Sequence, residues 1–372
     1  MAVIDIEVGE PDLFVTVSLL VILFLVLILP FRVKKVEENL EPFFLIMGII
    51  SVTVSNLWSL DLVIEALESP VRIAEVYGIP IGIFQVVLVV GLIIHYFNRP
   101  IYSALLSMMK KIGIRLFAFI FIVFFGLISS IISVIVCAVL LAEIALVMPV
   151  DRKKKLEFIV LACFAVGMGA ALTPVGEPLS TIAVKKLSGP PYYADFFFLF
   201  DLLAIYIIPG IVLLGILGAL RIGKHEVKNL TLPEYTETLR SVFLRAIRVY
   251  TFIAALVLLG GGFTPLIVWY IAKIPPEILY WVNIVSAILD NATLTAAEIG
   301  PALTIFQIKS ALMALIISGG MLIPGNIPNI VSAARLKITM SEWAKIGVPL
   351  GLVLMFAYFV IIFFLEPMAV KL

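Results

Sequence analysis

Residues 167–187 read GMGAALTPVGEPLSTIAVKKL, and residues 317–337 read ISGGMLIPGNIPNIVSAARLK. Each sets two prolines, four positions apart, around a glycine inside an apolar stretch. Proline removes a backbone donor and clashes with the preceding helical turn. Glycine lets the chain leave helical geometry at little steric cost. Each stretch is therefore read as a helix that stops, runs extended through Pro174, Gly176 and Pro178 or through Pro324, Gly325 and Pro328, and starts again. The ends so created carry free N–H and C=O groups. Inside a membrane such groups are tolerated only against protein or a water-filled cavity, and transporters place ion sites there. A plain proline kink is the simpler alternative.

The membrane follows from composition. The chain has 372 residues, 63% of them hydrophobic and 14% charged, with mean hydropathy +1.20. Soluble domains are nearer half apolar and about a quarter charged. Apolar runs long enough for a bilayer core of roughly 30 Å recur, which predicts an all-α polytopic membrane protein. Spans are expected at 13–31, 43–66, 79–97, 156–187, 196–220, 246–271, 304–335 and 346–366. The acidic N-terminus (Asp5, Glu7, Glu10, Asp12) lacks the basic region of a signal peptide, so 13–31 is expected to remain as the first span.

Basic residues cluster at 32–35, 99–115, 151–155, 221–248 and 335–337. The positive-inside rule puts these in the cytoplasm. The N-terminus, the 61–78 and 188–195 loops and the C-terminus then lie outside a cell (inner) membrane, with Lys185 and Lys186 as an exception. A net charge of +1 points away from a nucleic-acid partner. Cys137 and Cys163 both fall in apolar segments, against a disulfide framework or a thiolate metal site. His95 and His225 lie far apart and read as interfacial residues.

Two stretches fit no ordinary span. Residues 277–303 are too few for two crossings of about 20 residues each. They are read as a re-entrant hairpin with its tip near Asp290–Thr293. Residues 114–149 form either a similar hairpin or two short full spans. Setting 132–149 against 285–301 pairs Ser133 with Ser286, Cys137 with Asp290 and Ala138 with Asn291, and Glu143 falls two positions from the counterpart of Glu298. Setting the two opening stretches together pairs Gly169 with Gly319, Pro174 with Pro324, Pro178 with Pro328 and Lys185 with Arg335. Hairpin and broken helix thus recur in the same order, about 150 residues apart, and the two hairpins open from opposite sides. The expected organisation is N-terminal scaffold helices at 1–113 and a first transport element at 114–195. Scaffold helices with a basic linker follow at 196–276, then a second transport element at 277–340 and a C-terminal helix at 341–372.

The polar residues suit a small hard cation. An ionisable group at mid-bilayer costs at least ~2.5–3.5 kcal/mol and usually faces a cavity. Asp290 lies at the expected hairpin tip, Glu298 two turns on, Glu143 in the first hairpin and Glu177 in the first break. No basic partner is read for them. A buried carboxylate of this kind holds either a proton or a cation, which is the chemistry of exchange. The expected cation- and proton-binding set is Asp290, Asn291, Thr293, Thr295, Thr173, Glu177, Asn326 and Asn329, an all-oxygen shell of hard-cation type. Secondary candidates are Glu143, Glu298, Ser133, Ser286, Ser180 and Thr181. Glu143 and Glu298 are alternatively solvated at hairpin ends, and Glu177 is alternatively a helix cap. Ser51, Thr53, Ser55 and Asn56 read as interhelical hydrogen-bonding residues.

SAILDNATLTA (286–296), followed by the GGMLIPGNIPNIV break, resembles the ion transporter superfamily. The nearest pattern is that of NhaD-type sodium/proton antiporters, which carry an Asp-Asn-x-Thr hairpin and a Thr-Pro-x-Gly or Asn-Pro-x-Gly break. LTPVGEPLSTI is similar to the first such break. The chain also resembles a compact family of predicted cation transporters. The likeness covers 114–187 and 277–337. It implies an elevator-type fold of inverted repeats, with a transport domain sliding on a scaffold that dimerises. It departs at Cys137–Ala138, where the first hairpin of those antiporters carries Asp-Asn, and in having one span before the second hairpin against three before the first.

The function expected is secondary active cation transport, as Na⁺/H⁺ antiport. The alternative is cation-coupled transport of a small carboxylate or oxyanion, held by Ser180, Thr181, Asn326 and Asn329. An enzyme is not expected, for want of a nucleophile–base pair or an H-E-x-x-H helix. No cofactor is expected. Na⁺, or another monovalent cation, and H⁺ are substrates, and the partners are the lipid bilayer and a second copy of the chain.

Overall fold

The computed structural model describes residues 9–72, 74–76, 79–132, 134–223, 238–270, 274–289 and 291–366. Helices α1 (Leu13–Arg32), α2 (Lys34–Glu37), α3 (Leu40–Val54) and α4 (Leu60–Glu68) come first. A short antiparallel pair, β1 (Ala74–Val76) and β2 (Ile79–Ile81), leads into α5 (Ile83–Ile112). The first hairpin is α6 (Ile114–Ile128) and α7 (Val134–Val147). The first broken helix is α8 (Arg152–Ala170) and α9 (Pro178–Leu187). Then come α10 (Phe198–Ile222) and α11 (Leu239–Trp269). The second hairpin is α12 (Pro276–Val282), a 3-10 turn at Asn283–Ala287 and α13 (Asn291–Glu298). The second broken helix is α14 (Ile305–Gly319) and α15 (Ile327–Leu336), and α16 (Met340–Val360) ends in a π turn at Ile361–Leu365.

Among the described residues, four helical runs are long and apolar enough to cross a bilayer: α1, α10, α11 and α16 with its π turn. The architecture is that of an α-helical multi-pass membrane protein. α1, α10 and α16 turn large apolar side chains outward, among them Phe14, Phe24, Ile205, Leu220, Val353 and Phe356. The two broken helices are the opposite case. α8 is buried without interruption from Phe158 to Ala170, and α14 from Ile308 to Gly319. A helix apolar on every side belongs in a core, so the breaks lie at the centre of the molecule. Cys137 and Cys163 are free thiols buried in α7 and α8.

The expected span 43–66 is corrected. It is two helices separated by a turn at Asn56, which takes left-handed geometry (φ 53). α3 runs along α11 from Phe44 on Phe252 to Ser55, whose hydroxyl donates to Gly262 O at 2.6 Å. α4 then returns along the same helix, with Leu62 against Gly261 and the Leu67 carbonyl accepting from the Tyr250 hydroxyl at 2.9 Å. Apolar composition alone does not reveal such a reversal. The close approach depends on small residues: a Cβ at Gly262 would meet Ser51 Oγ at 2.2 Å. The expected span 79–97 is one limb of α5, which bends by 84° into Arg99–Ile112. Phe97 leaves helical geometry there (φ −115, ψ 20), just ahead of Pro100.

Basic residues from three of the clusters are held at or near one another. Arg152 donates to Glu342 Oε1 at 2.8 Å and to the Lys337 carbonyl at 3.0 Å, and Lys154 reaches the Ile222 carbonyl at 3.0 Å. A crevice of about 520 Å³ is lined by Glu37, Glu38, Arg245, Arg248, Arg335 and Lys337 and extends to Ile323 in the second break.

Candidate functional site

The two breaks follow the same path. α8 closes on Ala171 (φ −70, ψ −13) and α14 on Gly320 (φ −74, ψ −18). Leu172 N donates to Gly169 O at 3.1 Å, and Met321 N to Ser318 O at 3.0 Å. Gly176 N donates to Thr173 O at 3.1 Å, and Gly325 N to Leu322 O at 3.4 Å. The second half-helices open on extended residues, Glu177 (φ −152, ψ 162) and Asn326 (φ −153, ψ 149). Ser180 Oγ donates back to Ala170 O at 3.2 Å, as Asn329 Nδ2 does to Gly319 O at 2.9 Å.

These bonds correct the register read from the prolines by one residue. Glu177 corresponds to Asn326, Ser180 to Asn329 and Lys186, not Lys185, to Arg335. Pro178 is the first residue of α9 and Pro328 the second of α15. Both positions tolerate proline because first-turn N–H groups have no helical partner, so proline does not fix the register. The glycines do. A Cβ on Gly176 would lie 2.0 Å from Ala170 O, and one on Gly325 would lie 2.5 Å from Gly319 O. The chain doubles back over the last carbonyls of the preceding half-helix at both places.

Each hairpin rests on its own break. Val134 N donates to Gly176 O at 3.1 Å, and Thr173 Oγ1 donates to Ser130 O. Ser318 Oγ donates to Asn283 O at 2.7 Å, and Ser286 O lies 2.8 Å from where a Gly325 Cβ would be. The second arms cross over: α7 packs on α15, and α13 packs on α9. The surroundings match as well, with α5 on α7 as α11 is on α13, and α10 on α8 as α16 is on α14.

Seven of the fourteen expected site residues come to this crossing. Asp290 and Ser133 lie outside the described residues. Glu177 and Asn326 are each 4% exposed, and neither side chain caps its own helix. The Asn326 amide sits over Gly167 of α8, with Nδ2 2.6 Å from where a Cβ would be. Asn291 is buried beside Gly319, and its Nδ2 has no partner among the described residues. Thr173 and Ser180 are buried at the first break, and Ser286 at the second.

Asn329 is buried too, but its amide nitrogen ties the break together through Gly319 O and through Leu322 O at 2.8 Å. Only its Oδ1 is left without a partner among the described residues. Leaving two buried carbonyls unmet costs roughly 1–3 kcal/mol each. Asn329→Ala is therefore expected to lower the unfolding temperature in detergent more than Ser180→Ala, which removes one long bond.

Other expectations are corrected. Glu143 is neither solvated nor available to a cation. Both its oxygens accept from the Arg335 guanidinium, Nη2 to Oε2 at 2.9 Å, and the Tyr102 hydroxyl adds a contact at 3.2 Å. A basic partner thus exists, on the helix packed against α7 and far off in sequence. Thr181 is exposed and donates to Pro174 O at 2.6 Å, so it fastens the break instead of lining it. Thr293 faces α11, packed on Gly260, and Thr295 Oγ1 donates to Asn291 O at 2.8 Å. Glu298 is buried rather than solvated. Sequence reasoning passed over Asn283, whose Nδ2 donates to Glu298 Oε2 at 2.9 Å. An asparagine in the apolar run ILYWVNIVSAIL was its signal.

The sequence profile of a family described as "Protein of unknown function (DUF1646)" matches residues 16–365. No curated protein matches the chain.

Proposed function

The chain belongs to the DUF1646 family of proteins of unknown function, and we propose that it is a secondary active transporter of a monovalent cation, a Na⁺/H⁺ antiporter working by an elevator motion. The observation that carries the proposal is the pair of helix breaks with the same backbone path, each held by its own hairpin and by an arm of the other. We read α5–α10 and α11–α16 as two inverted repeats, each a helix, a hairpin, a broken helix and a closing helix. α1 to α4 are then additions to the first. Inverted repeats with discontinuous helices place ion sites where the breaks meet.

The side chains support a cation as cargo. Glu177 and Asn326 occupy equivalent extended positions and bring buried oxygens, joined by Asn291, Thr173 and Asn329 Oδ1, which has no partner among the described residues. Asp290 stands one residue before Asn291 and is assigned the exchanging carboxylate. The neighbouring cations are engaged: Arg335 by Glu143, and Lys186 by the Ala296 carbonyl. Inward-turned oxygens with the basic groups already bound favour a cation. One feature favours the second reading, small-anion transport: the 520 Å³ crevice carries Arg245, Arg248, Arg335 and Lys337 and leads to the second break.

The test uses proteoliposomes with an imposed proton gradient. Internal pH is followed on addition of Na⁺, Li⁺ or K⁺, for wild type, Asp290→Asn and Glu177→Gln. A cation-evoked pH change is expected in wild type, lost in Asp290→Asn. For Glu177→Gln the half-saturating concentration is expected to rise about 10–100-fold, the usual effect of disturbing an ion shell. No response to any cation, with folded protein, sinks the antiport reading. A response only to added di- or tricarboxylates establishes the second.

A further inference from the structure

We propose that Glu298 and Asn283 form a proton-binding pair, separate in space from the cation site at the helix breaks. The proposal rests on the antiport reading only for what the proton does, not for where it binds. Glu298 ends α13 and lines a partly open cavity of about 310 Å³, together with Pro275, Leu279, Leu303 and Gln307. It is 8% exposed, and Asn283 is fully buried. One hydrogen bond joins them, from Asn283 Nδ2 to Glu298 Oε2 at 2.9 Å. Glu298 Oε1 and Asn283 Oδ1 are both buried, and neither has a donor among the described residues.

An ionised carboxylate and an amide oxygen only accept, so the pair as charged leaves Oε1 and Oδ1 unmet among the described residues. A single proton on Oε1 changes this. The carboxyl becomes a donor, and a carboxylic acid already joined to a primary amide by N–H···O closes a second bond, O–H···O, to the amide oxygen. Both unmet atoms are then satisfied. A hard cation asks for about six oxygens, and this pair supplies two. The proton is taken from water in the cavity, binds an Oε1 lone pair and leaves by the reverse step, with no other bond changed.

Among the described residues, the charged groups on the elements around α13 leave Glu298 without an ion partner. Lys186 on α9 directs its ammonium to the Ala296 carbonyl, and Lys185 is exposed. Glu277 on α12 is exposed, and Lys309 on α14 is paired with Glu366. α11 brings Gly260 against α13, at Thr293. The pair is nevertheless wired to the break. Asn283 O accepts from Ser318 Oγ at 2.7 Å, next to Gly319. Asn291, Thr295 and Glu298 also share one face of α13, by the i, i+4, i+7 spacing. A proton bound at Glu298 thus removes a charge from the helix that carries Asn291 at its other end.

Infrared spectra of the protein in lipid vesicles, titrated from about pH 5 to about pH 9, test the pair directly. Wild type is expected to show a protonated-carboxyl stretch that titrates in this range. Glu298→Gln, whose amide oxygen still accepts from Asn283 Nδ2, lacks it, and Asn283→Leu shifts it to higher frequency. Identical wild-type and Glu298→Gln spectra throughout overturn the proposal. Thermal stabilisation by Na⁺ is then measured against pH. Wild type is expected to gain less from Na⁺ as pH falls, and Glu298→Gln to lose that dependence while still responding to Na⁺. Loss of the Na⁺ response itself in Glu298→Gln places Glu298 in the cation shell and overturns the separation. No Na⁺ response in wild type counts against the antiport reading alone, and the infrared band still decides the pair.

Discussion

Replacing Arg335 by leucine is expected to cost about 3–5 kcal/mol of stability, the usual price of stranding one member of a buried ion pair. Replacing Glu143 by leucine as well is expected to return the protein to within about 1 kcal/mol of wild type, because two well-packed apolar residues substitute for a paired charge. Arg335 and Glu143 side chains are 8% and 3% exposed, and the guanidinium grips both carboxylate oxygens. With Arg335 gone, the Tyr102 hydroxyl still donates to Glu143 at 3.2 Å. Denaturant unfolding of both single mutants and the double mutant, as a cycle, measures the coupling. Equal losses in Arg335→Leu and in the double mutant would mean that the damage lies in packing and not in the stranded charge. Glu143→Gln is expected to keep its cation response in proteoliposomes, which separates this carboxylate from those at the breaks.

Alanine at Gly176 or Gly325 is expected to disable transport and destabilise the protein by more than the roughly 1–3 kcal/mol of ordinary overpacking. The added methyl carbon would meet a backbone carbonyl at 2.0 Å in one case and 2.5 Å in the other. A carbonyl that closes a helix cannot swing aside as a side-chain tip can. Position 176 is expected to suffer more. Gly189 and Gly300, where a Cβ meets nothing within 4 Å, are the controls and should accept alanine silently. Unfolding temperatures and Na⁺-evoked pH changes on the four variants decide the matter. Tolerance at both breaks would mean that the two helices can open there, and that the tight path is not what the ion site depends on.

The breaks were legible because proline and glycine act locally: Pro174, Gly176 and Pro178 disturb a helix whatever surrounds them. Order along the chain, hairpin before broken helix, was legible for the same reason. Contacts made at a distance were not. Glu143 and Arg335 lie 192 residues apart, and each reads as unpaired until α7 is seen against α15. Register was misread because proline is accepted at either of the first two helical positions, whereas the close approach of Gly176 to Ala170 exists only in three dimensions. The α3–α4 reversal was hidden by uniform hydrophobicity, since hydropathy measures what a segment dissolves in and not which way it runs. Asn291 and Asn326 were found as polar residues among apolar ones, and Asn283 carried the same signal without a neighbouring motif to draw notice.

The crossed arms bear on how the chain is made. α7 leaves the ribosome well before the helix that holds its arginine partner. At about 5–20 residues per second, the separation of 192 residues keeps Glu143 waiting on the order of ten to forty seconds for Arg335. Lys186 waits in turn for the Ala296 carbonyl, 110 residues later. A lone charge of this kind opposes burial in lipid by at least ~2.5–3.5 kcal/mol, so the first hairpin has no stable seat until the second half emerges. The two halves are thus obligate co-folders: a ribosome that stalls after α10 leaves an intermediate with an acidic and a basic side chain both seeking partners, a natural target for membrane quality control.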